Sequence, residues 1–421
     1  MDKNKIIIGT GGTGGHIFPA ESLYEKLKEK FNVEIITDKR GFQFLKQKNS
    51  IKVIDTVSIP KKNILKIIPN IIKILISIIN SYLFIKKSKP CLVLGMGGYS
   101  SFPTCVASFL LKIPVIIYEN NLVLGRANKV LLPFVKKIII SNKNISGIPK
   151  KFEKKIFFSG YFLRKEIFNV KRESSNYKKD ELKILILGGS QSAKVFGDLI
   201  PKIILNCYKN NFKLKVFQQC LEKQISRIKT LYNENNIDFK LFTFSENLIE
   251  FYKNADFAIT RSGASSIAEL ANLKIPFVAI PLPSSADQHQ YKNALDFKNK
   301  GFCFLLEEKF IHSKFIITYQ TSGDRRDAPH EAAYRASVAS LAPYAPAIED
   351  PAAPDWLREQ TVYVGGLSRF AGRPRVPRAE PRTVCLVGGG GSTGPNSGAA
   401  WTAATSSTPA IVAAASRSSP S

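Results

Sequence analysis

Short runs of branched apolar residues alternate along most of the chain with longer stretches in which apolar residues recur every three or four positions. The first run is the three isoleucines at 6–8, and the stretch after it carries Leu23 and Leu27 on one helical face. Such runs are typical of buried parallel strands, and the periodic stretches are typical of the helices that connect them. The alternation therefore predicts doubly wound α/β domains.

The pattern predicts one sheet and then, after a charged stretch at 171–181, a second sheet. The predicted strands cover 6–8, 33–37, 91–94, 114–118, 137–141 and 156–160 in the first domain, and 183–187, 213–218, 239–244, 256–260 and 274–280 in the second. A chain of 421 residues is long enough for two or three domains that each bury a core. We place the domain boundaries at 1–162, 163–317 and 318–421.

A glycine-rich turn follows the first predicted strand. Five glycines fall between Gly9 and Gly15, and a helix is predicted from about Phe18 to Lys30. Backbone without side chains lets a phosphate approach, and the N–H groups and dipole of a helix start favour negative charge. The turn therefore predicts an anion site with His16 at its mouth.

The same glycines allow a second interpretation. Gly9-x-Gly11-x-x-Gly14 satisfies the dinucleotide-binding fingerprint, and Asp38 follows the next strand, where an acid would bind a ribose. Because a run of glycines meets this fingerprint by accident, a nicotinamide or flavin enzyme is an alternative and not the favoured interpretation.

Polar and glycine residues also follow later strands, where open α/β sheets bind ligands. These segments are Gly95–Pro103, Glu119–Asn121, Gly188–Gln191, Arg261–Glu269 and Asp287–Tyr291. In the fourth segment, serine hydroxyls at a helix start suit a diphosphate, and Glu269 one turn later suits a ribose diol. Ordinary helix capping and a capping box explain the same residues, so both interpretations remain open.

Composition adds two further restrictions. A net charge of +28 is typical of proteins that bind nucleic acid or anionic membranes, and also of chains with lysine-rich solvated faces. No nucleic-acid-binding motif accompanies the charge, so a basic nucleic-acid-binding protein is the non-enzymatic alternative. Six scattered cysteines without a C-x-x-C pair argue against a zinc site and indicate a reducing compartment.

The most apolar stretch is 60–87. Pro69, Lys73 and Asn80 interrupt it, so it lacks the roughly 20 clean residues that a membrane-spanning helix needs. Lysines at both ends favour a helix that lies on a membrane surface. We expect most of its apolar positions to be buried inside the α/β domain, with some Ile, Leu or Phe exposed beside the flanking lysines.

Taken in order over residues 1 to about 317, the motifs resemble the MurG family of glycosyltransferases, in glycosyltransferase family 28. The matching segments are Gly11–Pro19, Gly95–Tyr99, Glu119-x-Asn121, Gly188–Gln191, Arg261–Ala264 with Glu269, and Asp287–Ala294. The resemblance implies a GT-B fold, in which two Rossmann-like domains face a cleft. The first domain would face the acceptor and the membrane, and the second would bind UDP-GlcNAc.

The resemblance also implies a reaction and a location. The reaction is inverting transfer of N-acetylglucosamine to lipid I, giving lipid II for peptidoglycan, at the cytoplasmic face of the inner membrane. The implied partners are UDP-GlcNAc, lipid I and an anionic membrane surface, without nucleic acid. Another GT-B enzyme that uses a UDP-sugar, such as a different glycosyltransferase or a 2-epimerase, is the alternative.

Site residues follow from the resemblance position by position. His16 is the candidate general base, because a neutral imidazole suits proton abstraction near neutral pH, and a purely structural role is its alternative. The implied UDP-GlcNAc contacts are Thr13, Gly14, Gly15, Asn121, Arg164, Ser190, Ser245, Ala264, Ser265, Ser266, Ile267, Ala268, Glu269 and Gln290. No metal or cofactor is expected, because backbone N–H groups and helix dipoles can receive the leaving UDP.

The chain departs from the family pattern in two places that matter. Tyr118 and Asn120 replace the common His and Gln beside Glu119, and Ser192 occupies a usual glycine. From about residue 318 the composition also changes, since every lysine lies at or before Lys314 and ten of the sixteen arginines lie after it. We expect this Ala-, Pro-, Gly- and Ser-rich tail to be disordered and foreign to the family.

Overall fold

A computed structural model describes residues 4–45, 50–56, 67–172, 181–209, 213–243 and 248–311, together with short strand segments beyond residue 316. The chain divides into two compact units. One comprises Met1–Asn169 with Gly263–Ala268, and the other comprises Val170–Ser262 with Glu269–Ser421. Two parallel sheets account for most of the described residues, as the alternating pattern predicts.

The first sheet has seven parallel strands in the order β3-β2-β1-β4-β5-β6-β7. Its strands are β1 (Lys5–Gly9), β2 (Asn32–Thr37), β3 (Ile51–Val53), β4 (Leu92–Gly95), β5 (Val115–Glu119), β6 (Lys137–Ile140) and β7 (Ile156–Phe158). The helices of this part are α1 (Gly14–Leu27), α2 (Lys39–Phe44), α3 (Ile67–Ser88), α4 (Ser101–Leu110), α5 (Arg126–Leu131) and α6 (Lys165–Phe168). The chain reverses direction across the sheet between β1 and β4, and doubly wound sheets bind ligands at such a point.

Helix α1 begins four residues earlier than the sequence predicts. Its first residue is Gly14, and Thr13 before it is extended (φ −117°, ψ 165°). The predicted start at about Phe18 is therefore wrong. The first turn of the helix contains Gly14 and Gly15, which have no apolar side chains and so give no periodic signal. The correction matters for the site, since Gly14, Gly15 and His16 form the first turn of the helix.

Helix α3 contradicts the expectation that most of its apolar positions are buried. Seven of its apolar residues are 42–70% exposed, namely Ile68, Ile71, Ile72, Leu75, Ile76, Ile79 and Leu83. Its buried face is narrow, because the small side chains Ser77 and Ser81 and the apolar Ile85 lie against the rest of the domain. Within the described residues, Ile68–Ser88 is also long and apolar enough to cross a membrane. Only 17% of its most apolar stretch is buried inside the protein.

The second sheet has six parallel strands in the order β10-β9-β8-β11-β12-β13. Its strands are β8 (Glu181–Leu187), β9 (Lys213–Gln219), β10 (Asp238–Phe242), β11 (Phe257–Thr260), β12 (Phe277–Ala279) and β13 (Cys303–Leu305). Its helices are α7 (Gly189–Lys209), α8 (Glu222–Glu234), α9 (Leu248–Asn254), α10 (Ala264–Asn272) and α11 (His289–Asn299). A core that includes Ile186, Phe196 and Tyr232 packs beneath this sheet. The strand order repeats that of the first sheet, so the second predicted Rossmann-like domain is confirmed.

Beyond Ile311 the structure describes strand segments alone. They are β14 (Ile317–Tyr319), β15 (Ala339–Ala342), β16 (Thr361–Tyr363), β17 (Val384–Gly388), β18 (Gly391–Ser392), β19 (Thr402–Ala403) and β20 (Ile411–Ala415). Five of them pair in the order β16-β15-β14-β17-β20, with parallel and antiparallel neighbours. The rest of the tail lies outside the described residues, so its disorder and its foreign origin stay predictions.

Candidate active site

Two glycine turns meet at the carboxyl edge of the first sheet. Strands β1 and β4 are parallel neighbours in which Gly9 lies opposite Gly95, and Met96 N–H donates to the carbonyl oxygen of Gly9 (2.8 Å). Gly98 has a positive φ of +78°, and a Cβ there would lie 2.8 Å from the carbonyl oxygen of Gly11. The two turns therefore pack backbone against backbone at this point, which requires glycine at position 98.

His16 lies between these turns, and its ring has a defined orientation. Its Nδ1 is 3.0 Å from the carbonyl oxygen of Met96. A carbonyl oxygen only accepts hydrogen bonds, so Nδ1 carries the proton and the lone pair of the neutral ring is on Nε2. This is the tautomer that a general base needs if Nε2 receives the proton.

Two further contacts fix the first turn of α1 around this ring. Thr10, which is buried, donates through its hydroxyl to the backbone carbonyl of His16 (3.1 Å). Gly97 has a φ of +87°, and a Cβ there would lie 2.8 Å from His16 Nδ1. The second turn thus supplies the hydrogen-bond acceptor for the imidazole and the space that the ring occupies.

Asp38 does not have the role that the dinucleotide interpretation gives it. Its Oδ1 accepts N–H bonds from Gly12 (3.1 Å) and Gly41 (2.7 Å), and the second of these caps helix α2. The residue is buried. A carboxylate that braces a glycine turn and a helix start in this way is not presented to a ribose, so the nicotinamide alternative loses the acid on which it depended.

Asn121 is held by Glu119 at the end of β5. One carboxylate oxygen of Glu119 accepts from the backbone N–H (3.0 Å) and the side-chain amide (3.1 Å) of Asn121. The other oxygen accepts from Gly125 N–H (2.8 Å) and from Asn128 Nδ2 (3.0 Å). Glu119 is only 2% exposed, so water does not solvate its carboxylate. The four hydrogen bonds compensate its charge instead. Glu119 is therefore a scaffold for the loop that carries Asn121.

Arg164 lies against helix α1. Its guanidinium carbon is 5.1 Å from the centre of the Phe18 ring, within the range of a cation–π contact, and the residue is 8% exposed. Phe18 is two residues beyond His16, so Arg164 is placed beside the same helical turn. Thr13, Gly14, Gly15, His16 and Arg164 are thus brought together around the start of α1.

Helices α7 to α11 all begin along the carboxyl edge of the second sheet, because each follows one of its parallel strands. Helices α7 and α10 follow the neighbouring parallel strands β8 and β11, and α11 follows β12. Ala264, Ser265, Ser266, Ile267, Ala268 and Glu269 form the first turns of α10, and among them Ser266 is half-buried while Ser265 is buried. Helix starts that meet at one sheet edge favour a phosphate group.

Glu269 is more enclosed than the sequence indicates. It is 3% exposed, and Oε2 accepts a hydrogen bond from the hydroxyl of buried Tyr252 (2.9 Å). The carboxylate thus has a fixed orientation within its domain, a contact that sequence spacing does not reveal.

Arg261 directly follows β11, and its side chain is held by residues after β12 and by Glu308. It donates to the carbonyl oxygens of Ile280 (3.3 Å) and Pro281 (3.2 Å), and it forms an ion pair with Glu308. Its guanidinium also stacks 4.6 Å from the Phe196 ring. Burial lowers the pKa of Arg261, and the hydrogen bond and charge of Glu308 oppose that shift. Arg261 ties the ends of β11 and β12 together.

Gln290 lies at the start of α11, after a strained turn. Its Oε1 accepts from Leu282 N–H (3.0 Å), and the residues before it, Asp287 and Gln288, have positive φ values of +52° and +54°. Non-glycine residues in this conformation are uncommon and cluster at ligand sites. Lys89, Lys112, Asn236 and Lys274 share this conformation, so the assignment of the segment to the donor site stays a prediction.

Two sequence-predicted contacts cannot be placed by their side chains. Ser190 belongs to the first turn of α7, but its side chain is outside the described residues, as is that of Ser192. Ser245 falls entirely outside them. Gln219 is a nearby residue that sequence reasoning missed. It accepts from Gly189 N–H (2.9 Å) and donates to Thr243 O (3.0 Å), so it joins the glycine turn after β8 to the end of β10.

Both halves of the chain match domains of known protein families. Residues 6–140 match the glycosyltransferase family 28 N-terminal domain, and residues 183–337 match the family 28 C-terminal domain, past the boundary predicted at 317. A protein of Pelagibacter ubique, named UDP-N-acetylglucosamine--N-acetylmuramyl-(pentapeptide) pyrophosphoryl-undecaprenol N-acetylglucosamine transferase, is 38% identical over 314 residues. That alignment covers 74% of this chain and 87% of the relative. The chain belongs to the MurG family.

Solved structures agree with the MurG assignment. MurG of Acinetobacter baumannii superposes with a TM-score of 0.54 at 27% identity, covering 73% of this chain and 86% of that one. A putative UDP-N-acetylglucosamine 2-epimerase from Listeria monocytogenes superposes with a TM-score of 0.50 at 14% identity, covering 73% of this chain and 84% of that one. The second likeness, at 14% identity, shows the shared fold alone. The assignment as a GT-B glycosyltransferase rests on the family matches and on the MurG relatives.

Proposed function

We propose that this chain transfers N-acetylglucosamine from UDP-GlcNAc to the muramoyl-pentapeptide of undecaprenyl-diphosphate-linked lipid I, forming lipid II. The observation that carries the proposal is the 38% identity to a relative named for this reaction, over 87% of that relative's length. The likeness to 2-epimerases is confined to the fold, at 14% identity, and gives no comparable support.

His16 is the proposed base. In an inverting transfer the acceptor hydroxyl oxygen forms a bond to C1 of N-acetylglucosamine, and the bond from C1 to the UDP oxygen breaks. The hydroxyl proton goes to Nε2 of His16, since Nδ1 donates to Met96 O. His16 thereby becomes an imidazolium whose other N–H keeps its hydrogen bond throughout the step.

The proposed donor contacts are those assigned by the resemblance. The N-terminus of α10, with Ser265 and Ser266, would stabilise the charge that develops on the leaving diphosphate. Glu269, oriented by Tyr252, would accept hydrogen bonds from the ribose hydroxyls. The rest of the donor is proposed to contact Asn121, Arg164 and Gln290. We propose that the transfer proceeds without a metal ion.

Peripheral attachment to an anionic membrane surface belongs to the same proposal. Helix α3 exposes seven apolar residues and carries Lys86 and Lys87 in its last turn. An apolar helical face next to basic residues suits the boundary between lipid headgroups and acyl chains. The arrangement supports a helix lying in the interface, where the acceptor lipid is available.

Vesicle binding tests this membrane contact. Ile79→Glu combined with Leu83→Glu should weaken binding to vesicles of phosphatidylglycerol and phosphatidylcholine by at least about tenfold, because charge replaces exposed apolar area. Phe302→Glu, which changes an exposed aromatic residue of the second unit, is the matched control. Equal binding by both variants would contradict membrane attachment through α3.

An assay with and without acceptor tests the reaction. The full chain is incubated with labelled UDP-GlcNAc alone and with a short-chain lipid I analogue, and every labelled product is separated. A transferase releases UDP only when the acceptor is present and moves the label to it. Conversion of UDP-GlcNAc to its 2-epimer without acceptor, or salt-sensitive oligonucleotide binding with no response to UDP, would contradict the proposal.

A further inference from the structure

Tyr118 is buried at the end of β5, and its hydroxyl joins two segments of the first unit. The hydroxyl donates to Asn120 Oδ1 (3.0 Å), with the carbonyl oxygen of Gly160 farther away at 3.5 Å, and it accepts the backbone N–H of Phe162 (3.3 Å). The Tyr118 ring also stacks on the Phe162 ring, with centroids 4.4 Å apart and planes 21° from parallel. Burial raises the pKa of Tyr118, so the hydroxyl remains a donor across the neutral pH range.

Asn120 passes this constraint to the first turn of α1. Its Oδ1 faces the Tyr118 hydroxyl, so its Nδ2 is directed elsewhere and donates to the hydroxyl of Ser265 (2.9 Å) and to the carbonyl oxygen of Gly15 (3.3 Å). Its own carbonyl accepts from the Ser141 hydroxyl (2.9 Å), and the residue is 3% exposed. An amide held in this way cannot turn over without losing hydrogen bonds at both its oxygen and its nitrogen. Gly15 directly precedes the candidate base His16.

The other arm of Tyr118 leads to Arg164. Phe162 is two residues before Arg164, whose guanidinium lies over the ring of Phe18. Phe18 is itself two residues after His16. The segment 160–164 and the helical turn 14–18 are therefore connected twice, once through Phe18 and Arg164 and once through Tyr118 and Asn120.

We propose that Tyr118, acting through Asn120 and Phe162, is a positioning residue that holds the His16 turn and the Arg164 segment in a fixed mutual arrangement. This inference rests on the proposed function for the roles of His16 and Arg164. Tyr118 and Asn120 are also the positions at which this chain departs from the His and Gln of the family pattern. The longer aromatic side chain with a shorter amide and the shorter imidazole with a longer amide offset each other in reach, so the proposal predicts that the two positions exchange as a pair.

Tyr118→Phe tests the proposal, since it keeps the stacked ring and removes only the hydroxyl. Tyr24→Phe is the matched control, because Tyr24 belongs to the same buried cluster and lies near the far end of α1. Amide hydrogen exchange of the full chain is followed in peptides covering 14–18 and 160–164. The kcat of GlcNAc transfer, the KM for UDP-GlcNAc and the melting temperature are measured beside it.

The proposal predicts about tenfold faster exchange in both peptides of Tyr118→Phe, as expected when buried hydrogen bonds are lost, and unchanged exchange in Tyr24→Phe. It also predicts about a tenfold lower kcat with the melting temperatures of the two variants within a few degrees of each other. Tyr118→His alone should behave like Tyr118→Phe, and adding Asn120→Gln should restore kcat. Unchanged exchange in Tyr118→Phe, or equal losses in Tyr24→Phe, would overturn the proposal.

The outcome is separable from that of the proposed function. A wild-type chain that transfers no GlcNAc refutes the function, while the exchange comparison still decides whether Tyr118 holds the two segments. A wild-type chain that transfers GlcNAc, with identical exchange and kcat in Tyr118→Phe, supports the function and refutes the role of Tyr118.

Discussion

Gly97→Ala should disable the candidate base without unfolding the protein. At a φ of +87° any side chain is strained, and a left-handed backbone costs a non-glycine residue about 1–2 kcal/mol. The added methyl would also lie 2.8 Å from Nδ1 and 2.9 Å from Cε1 of His16, which is closer than real Cβ contacts. The ring must therefore move, and the hydrogen bond to Met96 is lost at a net cost of about 1 kcal/mol.

Gly147→Ala separates these two effects. Gly147 has nearly the same backbone angle, φ +93°, and its Cβ would meet Leu124 Cβ at an ordinary 3.4 Å. Both variants bear the backbone strain, but Gly97→Ala alone displaces the ring. We expect Gly97→Ala to melt about 2–4 °C below Gly147→Ala, since 1 kcal/mol corresponds to that shift in a domain of this size.

Activity should differ far more than stability. Positioned general bases contribute about 10²–10⁴-fold, so a displaced His16 should lower kcat by at least roughly 100-fold in Gly97→Ala. Gly147→Ala should keep a kcat close to that of the wild type, because its Cβ would meet only Leu124 and displaces no group of the candidate site. UDP affinity, measured by calorimetry, should be the same in both variants. Full activity in Gly97→Ala would refute the role given to the His16 orientation.

Three other outcomes follow from the same structure. Glu119→Gln places an amide against four N–H donors, so it should destabilise the protein by about 1–3 kcal/mol and weaken UDP-GlcNAc binding through Asn121, measured by thermal melting and calorimetry. Burial raises the pKa of Cys105 to about 12, so this thiol stays protonated at pH 8, and mass spectrometry after brief iodoacetamide treatment should find exposed Cys91 alkylated and Cys105 intact. Transfer activity should survive dialysis against EDTA, and loss that added Mg²⁺ restores would contradict metal-independent chemistry.

The two parallel sheets are predictable from the sequence because buried parallel strands leave continuous apolar runs, whereas the order of strands within each sheet comes from the structure. Glycine turns mark where several of those strands end. The sequence does not predict the three-residue strands β3 and β13, although it does predict β7 and β12, which are equally short. The burial of individual side chains is harder to predict from the sequence than the strands are. The apolar periodicity of α3 indicates that one face is apolar, but it does not indicate what covers that face.

The candidate site was predictable as a set of positions and not as a set of contacts. His16 and the turn at Gly95–Tyr99 could both be identified, yet their hydrogen bond uses the carbonyl of Met96, and backbone acceptors have no residue signature. The spacing of Asp38 fits a ribose ligand, a role that the sequence analysis gives only as an alternative, and the N–H partners that exclude it become visible only in three dimensions. Tyr252, which orients Glu269, is 17 residues away and could not be paired with it from spacing.

The most direct test of the account is GlcNAc transfer to a lipid I analogue by His16→Ala, with UDP affinity measured on the same preparation. The account predicts that transfer falls at least about 100-fold while UDP affinity stays within about twofold, because the base is lost and the donor contacts of the second sheet remain. Transfer at the wild-type rate by His16→Ala would contradict the account, since the hydroxyl proton would then be accepted without the His16 imidazole.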